Sequence, residues 1–169
     1  MADPTVIATG AFTLGGALVG FAGGTVGQLL RGRSQAAAAS PADPTQQREE
    51  LRRRVLMDFQ EALEVYLRCV GRVHYADVRA AKADGSWGRP QRSPRLELEL
   101  LEAGRRARQT GAWVIDDQLR QHFEALDRQI TVGLRRLASE AAAGHFTVRT
   151  GNLLQLTQER LGYLLRPLL

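Results

Sequence analysis

The sequence of 169 residues contains very little cysteine and lysine. Cys69 is the only cysteine, which excludes an internal disulfide framework and suits a reducing compartment. We expect its thiol to be a small side chain in a core. Lys82 is the only lysine among 23 basic residues, so arginine carries the net charge of +5. This bias is typical of a GC-rich bacterial genome rather than of a selected guanidinium function.

Residue patterns that carry catalytic chemistry are also missing. His74 and Asp77 have an i, i+3 spacing that can place two metal ligands on one helical face, but no further ligand accompanies them. We interpret the pair as solvated surface. Cys69 and His74 lie five residues apart, a poor spacing for a nucleophile and its base, and no glycine-rich phosphate loop is present. We therefore predict no enzyme activity, metal, cofactor or small-molecule substrate.

Charge is absent from one long stretch near the N-terminus. Residues 5–30 are 26 consecutive uncharged positions, which as a helix would reach about 39 Å, against about 30 Å for the hydrocarbon core of a bilayer. The many large apolar residues argue against a flexible linker. We predict a transmembrane helix over 1–30. A cleavable signal peptide stays open as an alternative, since "AAAAS" at 36–40 resembles a cleavage site, although no basic residue precedes the apolar core.

The glycines in this stretch follow a helical spacing. Gly16, Gly20 and Gly24 fall four residues apart, and Gly23 and Gly27 form a second GxxxG step. In lipid, such a groove without side chains lets two helices approach closely. Residues 16–27 therefore resemble a glycine zipper of membrane proteins, which predicts self-association and a homo-oligomer. A plain anchor with incidental glycines is the alternative.

The charges that flank the apolar stretch predict its orientation. Arg31 and Arg33 follow it directly, and no basic side chain precedes it. The positive-inside rule therefore places the N-terminus outside and the C-terminal part in the cytoplasm of a bacterium. Residues 31–43, rich in small side chains, predict a flexible linker, and residues 44–169 a cytoplasmic helical domain.

Within 44–169, capping signals and apolar periodicity predict only helices. Asp43 with Pro44, and Ser93 with Pro94, are typical of helix starts, and the first helix is predicted to run to about Ala83. Leucine alternates with glutamate at 96–100 as in a strand, but no second strand is available for pairing, so a second helix is preferred. A third helix is predicted to end at Gly144, and a last one to be capped by Thr150 or Asn152. The apolar stripes of the first and third helices are Leu51, Val55, Phe59, Leu63, Tyr66, Val70 and Val73, and Ile115, Leu119, Phe123, Leu126, Ile130, Leu134 and Leu137.

The fold class that follows is all-α. One N-terminal transmembrane helix precedes an antiparallel helical bundle or an extended helical hairpin. The arginine clusters "REELRRR" and "GRRAR" are interrupted or preceded by glutamates, so we interpret them as a mixed-charge surface and expect no nucleic-acid partner. Trp87, between glycines in the loop after the first helix, is predicted to contact a partner or to cap the end of the bundle.

An uncharged glycine-rich segment, an arginine flank and then "RRRVLMDFQEALEVYLR" form a recognisable order. In this the chain resembles uncharacterised bacterial single-pass inner-membrane proteins with one N-terminal anchor and a cytoplasmic helical domain. The resemblance covers about the first 70 residues and implies a membrane-anchored interaction or scaffold module without catalytic activity. Its expected partners are the lipid bilayer and either a second copy or another membrane or cytoplasmic protein. Two alternatives stay open: a membrane-permeabilising effector that oligomerises through the glycine zipper, and a soluble helical regulator.

Overall fold

The computed structural model describes residues 43–88 and 92–168, and these ranges contain helices and no strands. The helices are α1 (Pro44–Asp84), α2 (Pro94–Gly111), α3 (Asp117–Gly133) and α4 (Glu140–Leu165), and a short 3-10 turn follows at Arg166–Leu168. The chain divides by its contacts at residue 48, and Glu49–Leu169 forms one compact unit. The predicted all-α class and helical bundle are confirmed for this unit.

The first two helices begin where their capping residues predict. The Asp43 carboxylate accepts a hydrogen bond from the Thr45 backbone N–H at 2.9 Å, and Pro44 is the first residue of α1. The Ser93 hydroxyl accepts one from the Leu96 N–H at 3.3 Å. In both cases the side chain satisfies a backbone donor that has no partner inside the helix. The preference for helix over strand at 96–100 is likewise confirmed.

The predicted boundary between the third and fourth helices is wrong. The third helix ends at Gly133, and α4 starts at Glu140 with Ser139 as its cap, whose hydroxyl accepts from the Ala142 N–H at 3.1 Å. Gly144 therefore lies inside α4, where it faces open space and costs only a small loss of helix propensity. Thr150 and Asn152 are also interior residues of α4 rather than caps.

Two ends of the predicted stripes are corrected as well. Leu51 is 62 % exposed, and Ile115 is 84 % exposed because it lies ahead of the α3 cap, Asp116. Leu134 and Leu137 are buried as expected, but they occupy the turn after α3 instead of the helix itself.

The helices of the compact unit pack around the apolar side of α1. The ring of Phe59 meets that of Phe123 on α3 edge to face, with centroids 5.1 Å apart. The Tyr66 hydroxyl donates to Asp127 on α3 at 2.9 Å, and Arg108 of α2 donates to the same carboxylate at 3.0 Å. Burial and the charge of Asp127 raise the pKa of Tyr66, so its hydroxyl stays protonated as a donor. The three helices are thus joined by apolar packing and one shared carboxylate.

The contacts give an antiparallel order in which successive helices alternate in direction. We call the end at which α1 enters the unit the entry end; it contains Arg52, the loop 112–116 and the C-terminal part of α4 from Arg160. We call the opposite end the far end; it contains the end of α1 from Asp77, the described loop residues 85–88 and 92–93, and the turn 134–139. With 1.5 Å of rise per residue, about 38 Å of α1 separate Arg52 from Asp77.

The predicted transmembrane helix over 1–30 and the linker up to residue 42 lie outside the described residues. Among the helices that are described, none has the length and apolar character to cross a membrane.

Candidate functional site

At the far end, a buried ion pair replaces the solvated pair that the sequence suggested. Asp77 and Arg92 have side-chain exposures of 6 % and 9 %, and the guanidinium donates to the Asp77 carboxylate at 2.8 and 2.9 Å. The same guanidinium donates to the backbone carbonyl of Leu134 at 2.8 Å. Arg92 therefore joins α1, the loop before α2 and the end of α3, which is a structural role. Its sequence distance from Asp77 gave no signal of this contact.

His74 is half-buried, and its ring faces α4. Its Nε2 lies 3.1 Å from the Thr147 hydroxyl, and its ring packs at 5.0 Å from that of Phe146. Burial lowers the pKa of His74, while the charge of Asp77 opposes the shift. Within residues 43–88 and 92–168, no group of His, Cys, Asp and Glu side chains is arranged to hold a metal ion.

Cys69 lies in the core, as its sequence suggested. Burial raises the pKa of its thiol, which keeps the sulfur protonated and poorly nucleophilic. The absence of enzyme activity is an expectation that the structure does not test.

Trp87 is half-buried in the turn of the far end. It lines a small cleft together with Asp77, Leu134 and Leu137, and the neighbouring Gly88 N–H donates to the Leu137 carbonyl at 2.9 Å. Gly85 and Gly88 have φ values of +71° and +84°, which glycine adopts without steric cost, so the turn can fold over the bundle end. That Trp87 contacts a partner stays a prediction.

A groove lies between the end of α3 and the start of α4. It has a volume of about 580 Å³ and runs past the point where Phe146 packs over Gly133. Val132 and Val148 line it and remain 42 % and 64 % exposed. Its other lining residues include Arg136, His145 and Arg149, with no carboxylate among them. The groove thus offers apolar contacts bordered by positive charge.

The sequence did not predict this groove, because Gly144 was expected to end a helix. A continuous α4 from Glu140 is what sets Val148 on the same surface as Val132. The capping signal that would have shown it is Ser139, followed by Glu140 and three alanines, a pattern typical of a helix start.

The remaining predicted site residues are the glycines of the zipper and the two arginines that flank the anchor. All of them lie outside the described residues: Gly16, Gly20, Gly23, Gly24, Gly27, Arg31 and Arg33.

Comparison of the chain with protein-family models, with curated proteins and with solved structures gives no match. The function is therefore argued from the groove and from the sequence.

Proposed function

We propose that the chain is a membrane-anchored protein–protein interaction module without catalytic activity. Its segment 5–30 holds it in the bacterial inner membrane, and its helical bundle binds a partner on the cytoplasmic side. The observation that carries the proposal is the groove between α3 and α4, which exposes apolar side chains on a surface built from two well-packed helices.

The chemistry of the groove favours an amphipathic helix with acidic residues along its border. Val132 and Val148 would receive its apolar face, as in other grooves that bind a helix through spaced apolar anchors. Arg136 and Arg149 would face its carboxylates, since the lining contains no acidic residue. The narrow border of charge and the modest apolar area fit a reversible contact better than a permanent one.

The anchor rests on the sequence. An uncharged run of 26 residues is long enough to cross the bilayer, and Arg31 and Arg33 orient it. Self-association through Gly16, Gly20 and Gly24 belongs to the same proposal, because small residues at this spacing let two helices meet.

The partner is tested by photo-crosslinking in cells with the full-length chain. A photoreactive residue at Val148 should give a protein adduct, whereas one at Leu98, a 56 % exposed leucine on α2 outside the groove, should give far less. Arg149→Glu should weaken the adduct, and reversal of an acidic residue in the cross-linked peptide to arginine should restore it. Equal adducts at both positions, or no rescue by the charge reversal, would contradict the acidic-helix partner.

The anchor is tested by washing membranes with alkaline carbonate. An integral chain stays in the pellet, whereas a soluble helical regulator is released. Gly20→Leu should reduce crosslinking between anchors if the glycine groove is used, and Ala17→Leu within the same segment is the control. Dye leakage from vesicles that contain the chain would instead favour the permeabilising effector.

A further inference from the structure

The loop 112–116 at the entry end holds two large apolar side chains in water. Trp113 is 75 % exposed and Ile115 is 84 % exposed, whereas Val114 between them is only 2 % exposed. The backbone N–H groups of Trp113 and Val114 donate to the carbonyls of Thr110 and Gly111, both at 3.1 Å. Because Val114 is fixed in the core, its two neighbours are held outward. Their exposure is thus a consequence of a well-anchored loop.

Arginine and tyrosine side chains stand beside this loop. Arg160 of α4 binds the Asp116 carboxylate at 2.5 and 3.0 Å, and its guanidinium carbon lies 5.1 Å from the centre of the Tyr163 ring, a residue that is 65 % exposed. Asp117 is paired with Arg120. The two carboxylates nearest the loop are therefore neutralised by arginines. We call Trp113, Ile115, Tyr163, Arg120 and Arg160 the entry-end patch.

The entry-end patch combines three chemistries that suit the border of a bilayer. Tryptophan and tyrosine concentrate at the membrane–water interface, where one side of the ring is apolar and the other is wet. An isoleucine at a loop tip adds apolar area that can enter the acyl boundary. Because Arg160 and Arg120 balance Asp116 and Asp117, neither of these carboxylates stands unpaired to repel the anionic headgroups of the cytoplasmic leaflet.

The direction of the chain also places the entry-end patch on the side of the proposed anchor. Helix α1 enters the compact unit at the entry end, and residues 31–43 join it to the proposed anchor. Thirteen residues span at most about 45 Å when fully extended. With a tether of this length, the anchor keeps the entry-end patch close to the same bilayer. The patch then binds the membrane even when its own affinity for lipid is weak.

We propose that the entry-end patch inserts Trp113 and Ile115 into the headgroup region of the leaflet beside the anchor, so that the bundle stands on the membrane with its far end directed away. The inference rests on the anchor of the proposed function but not on the partner groove. It has a structural consequence: the groove, which borders the turn 134–139 of the far end, remains accessible to a cytoplasmic partner.

The two tryptophans of the chain provide the test, since they lie at opposite ends of the bundle. The full-length Trp87→Phe and Trp113→Phe variants each keep one fluorophore, and both are reconstituted in vesicles of phosphatidylethanolamine and phosphatidylglycerol with bromine near the headgroup end of the acyl chains. We expect Trp113 to be quenched about twofold or more beyond Trp87, with a blue-shifted emission. Ile115→Ser should reduce this quenching, and Leu98→Ser, an exposed leucine on α2, should not.

The outcomes separate the patch from the anchor. Equal or absent quenching of the two tryptophans in a chain that resists carbonate washing overturns the patch and leaves the anchor intact. Release by carbonate overturns the anchor, and quenching of Trp113 when the released chain is mixed with vesicles then supports the patch by itself. A Trp113 signal that responds only to an added protein and not to lipid also overturns the patch. If Trp87→Phe fails to fold, the difference between the native chain and Trp113→Phe gives the Trp113 signal.

Discussion

The two ends of the bundle contain the same kinds of residue but differ in how deeply they bury them. Each end has an Asp–Arg pair and a tryptophan. At the far end Asp77 and Arg92 are almost fully buried and Trp87 is half-buried, whereas at the entry end Asp116 and Arg160 are 18 % and 26 % exposed and Trp113 stands in water. The difference teaches that residue type alone does not show whether a loop tryptophan packs against the bundle or stays in water. Here the tryptophan beside the buried ion pair is the half-buried one.

The physical origin of the difference lies in the loops. At the far end, Gly85 and Gly88 have positive φ, and Arg92 is buried against the Leu134 carbonyl. The entry-end loop has five residues and fixes only Val114 inward, so its other large side chains point out. Five predictions sharpen this comparison.

The largest effect is expected from Arg92→Ala at the far end. Loss of the guanidinium removes the ion-pair contact of Arg92 with a buried carboxylate and a donor to the Leu134 carbonyl, and we expect the free energy of unfolding to fall by about 3–5 kcal/mol. Chemical denaturation in detergent measures it. The double variant Asp77→Leu with Arg92→Met is the control, because apolar replacement of both charges should recover much of the loss. If Arg92→Ala lowered the free energy of unfolding by less than about 1 kcal/mol, the far-end ion pair would contribute no more than an exposed one, and the two ends would not differ in this respect.

The next effect concerns the contact between α3 and α4 near the far end. A Cβ at Gly133 would come within 2.2 Å of the Phe146 ring, so Gly133→Ala forces the helices or the ring to move. We expect a loss of about 1–3 kcal/mol in the free energy of unfolding. Gly144→Ala is the matched control, since nothing lies within 4 Å of its added methyl and helix propensity should raise stability by up to about 1 kcal/mol. The same sign for both variants would contradict the close approach.

At the entry end, Asp116→Ala is expected to cost less than the loss of Arg92. The Asp116 carboxylate accepts a hydrogen bond from the Leu119 N–H at 2.8 Å as the cap of α3, and its loss should lower the free energy of unfolding by about 1–2 kcal/mol. Asp117→Ala next to it removes an exposed carboxylate and should change stability by less than about 0.5 kcal/mol. Thermal unfolding of the two variants side by side gives the comparison. Equal losses would show that the capping hydrogen bond is not what Asp116 contributes.

Acidification should affect the far half of the bundle before the entry end. Burial holds the pKa of His74 below its ordinary value of 6.5, so its neutral form is favoured in the folded state. The unfolded chain then binds the proton first, and stability that is fully present above pH 6.5 is lost as the pH falls from there through the folded pKa. Hydrogen bonds from Arg160 lower the pKa of Asp116, whose contribution is present above its ordinary value of 3.8 and is lost only as the pH falls through the still lower folded pKa.

The urea midpoint at pH 7.5 and 5.5 measures this difference. The native chain should lose stability at the lower pH, and His74→Leu, which keeps an apolar side chain and removes the titrating group, should lose clearly less. His145→Leu, at an exposed histidine in the groove, is the matched histidine-to-leucine control. An unchanged response in His74→Leu would assign the loss to other groups.

Local signals in the sequence predicted the helices of the bundle, but they did not predict its long-range contacts. Asp43 and Ser93 mark their helix starts because a cap acts within three residues of its own position. Gly144 was misread because a glycine on an exposed helical face costs about 1 kcal/mol, which the helix around it easily outweighs. The contact of Arg92 with Asp77 and Leu134 depends on the path of the loop, which no periodicity encodes.

The candidate surfaces were predictable only in part. The apolar triplet Trp113, Val114 and Ile115 has no alternation that shows which member is buried. Ile115 continues the apolar stripe of α3 by one turn and is therefore predicted to be in the core, whereas it is exposed. The cap at Asp116 ends that pattern. Trp87 is marked by its position between Gly85 and Gly88, whereas Trp113 has a glycine on one side only, Gly111, so the same signal does not extend to it.

The smallest expected effect on stability, and the sharpest contrast between the ends, comes from the tryptophans. Trp113→Ser should change the free energy of unfolding by less than about 0.5 kcal/mol, because the ring is largely in water already and has few contacts to lose. Trp87→Ser should cost more, since its ring lines the cleft with Leu134 and Leu137. Unfolding in neutral detergent, without anionic lipid, measures the contribution of each tryptophan to fold stability without any membrane contact. A loss for Trp113→Ser that equals that of Trp87→Ser would mean that both rings stabilise the fold, and exposure of Trp113 would then no longer distinguish an interacting surface from a structural one.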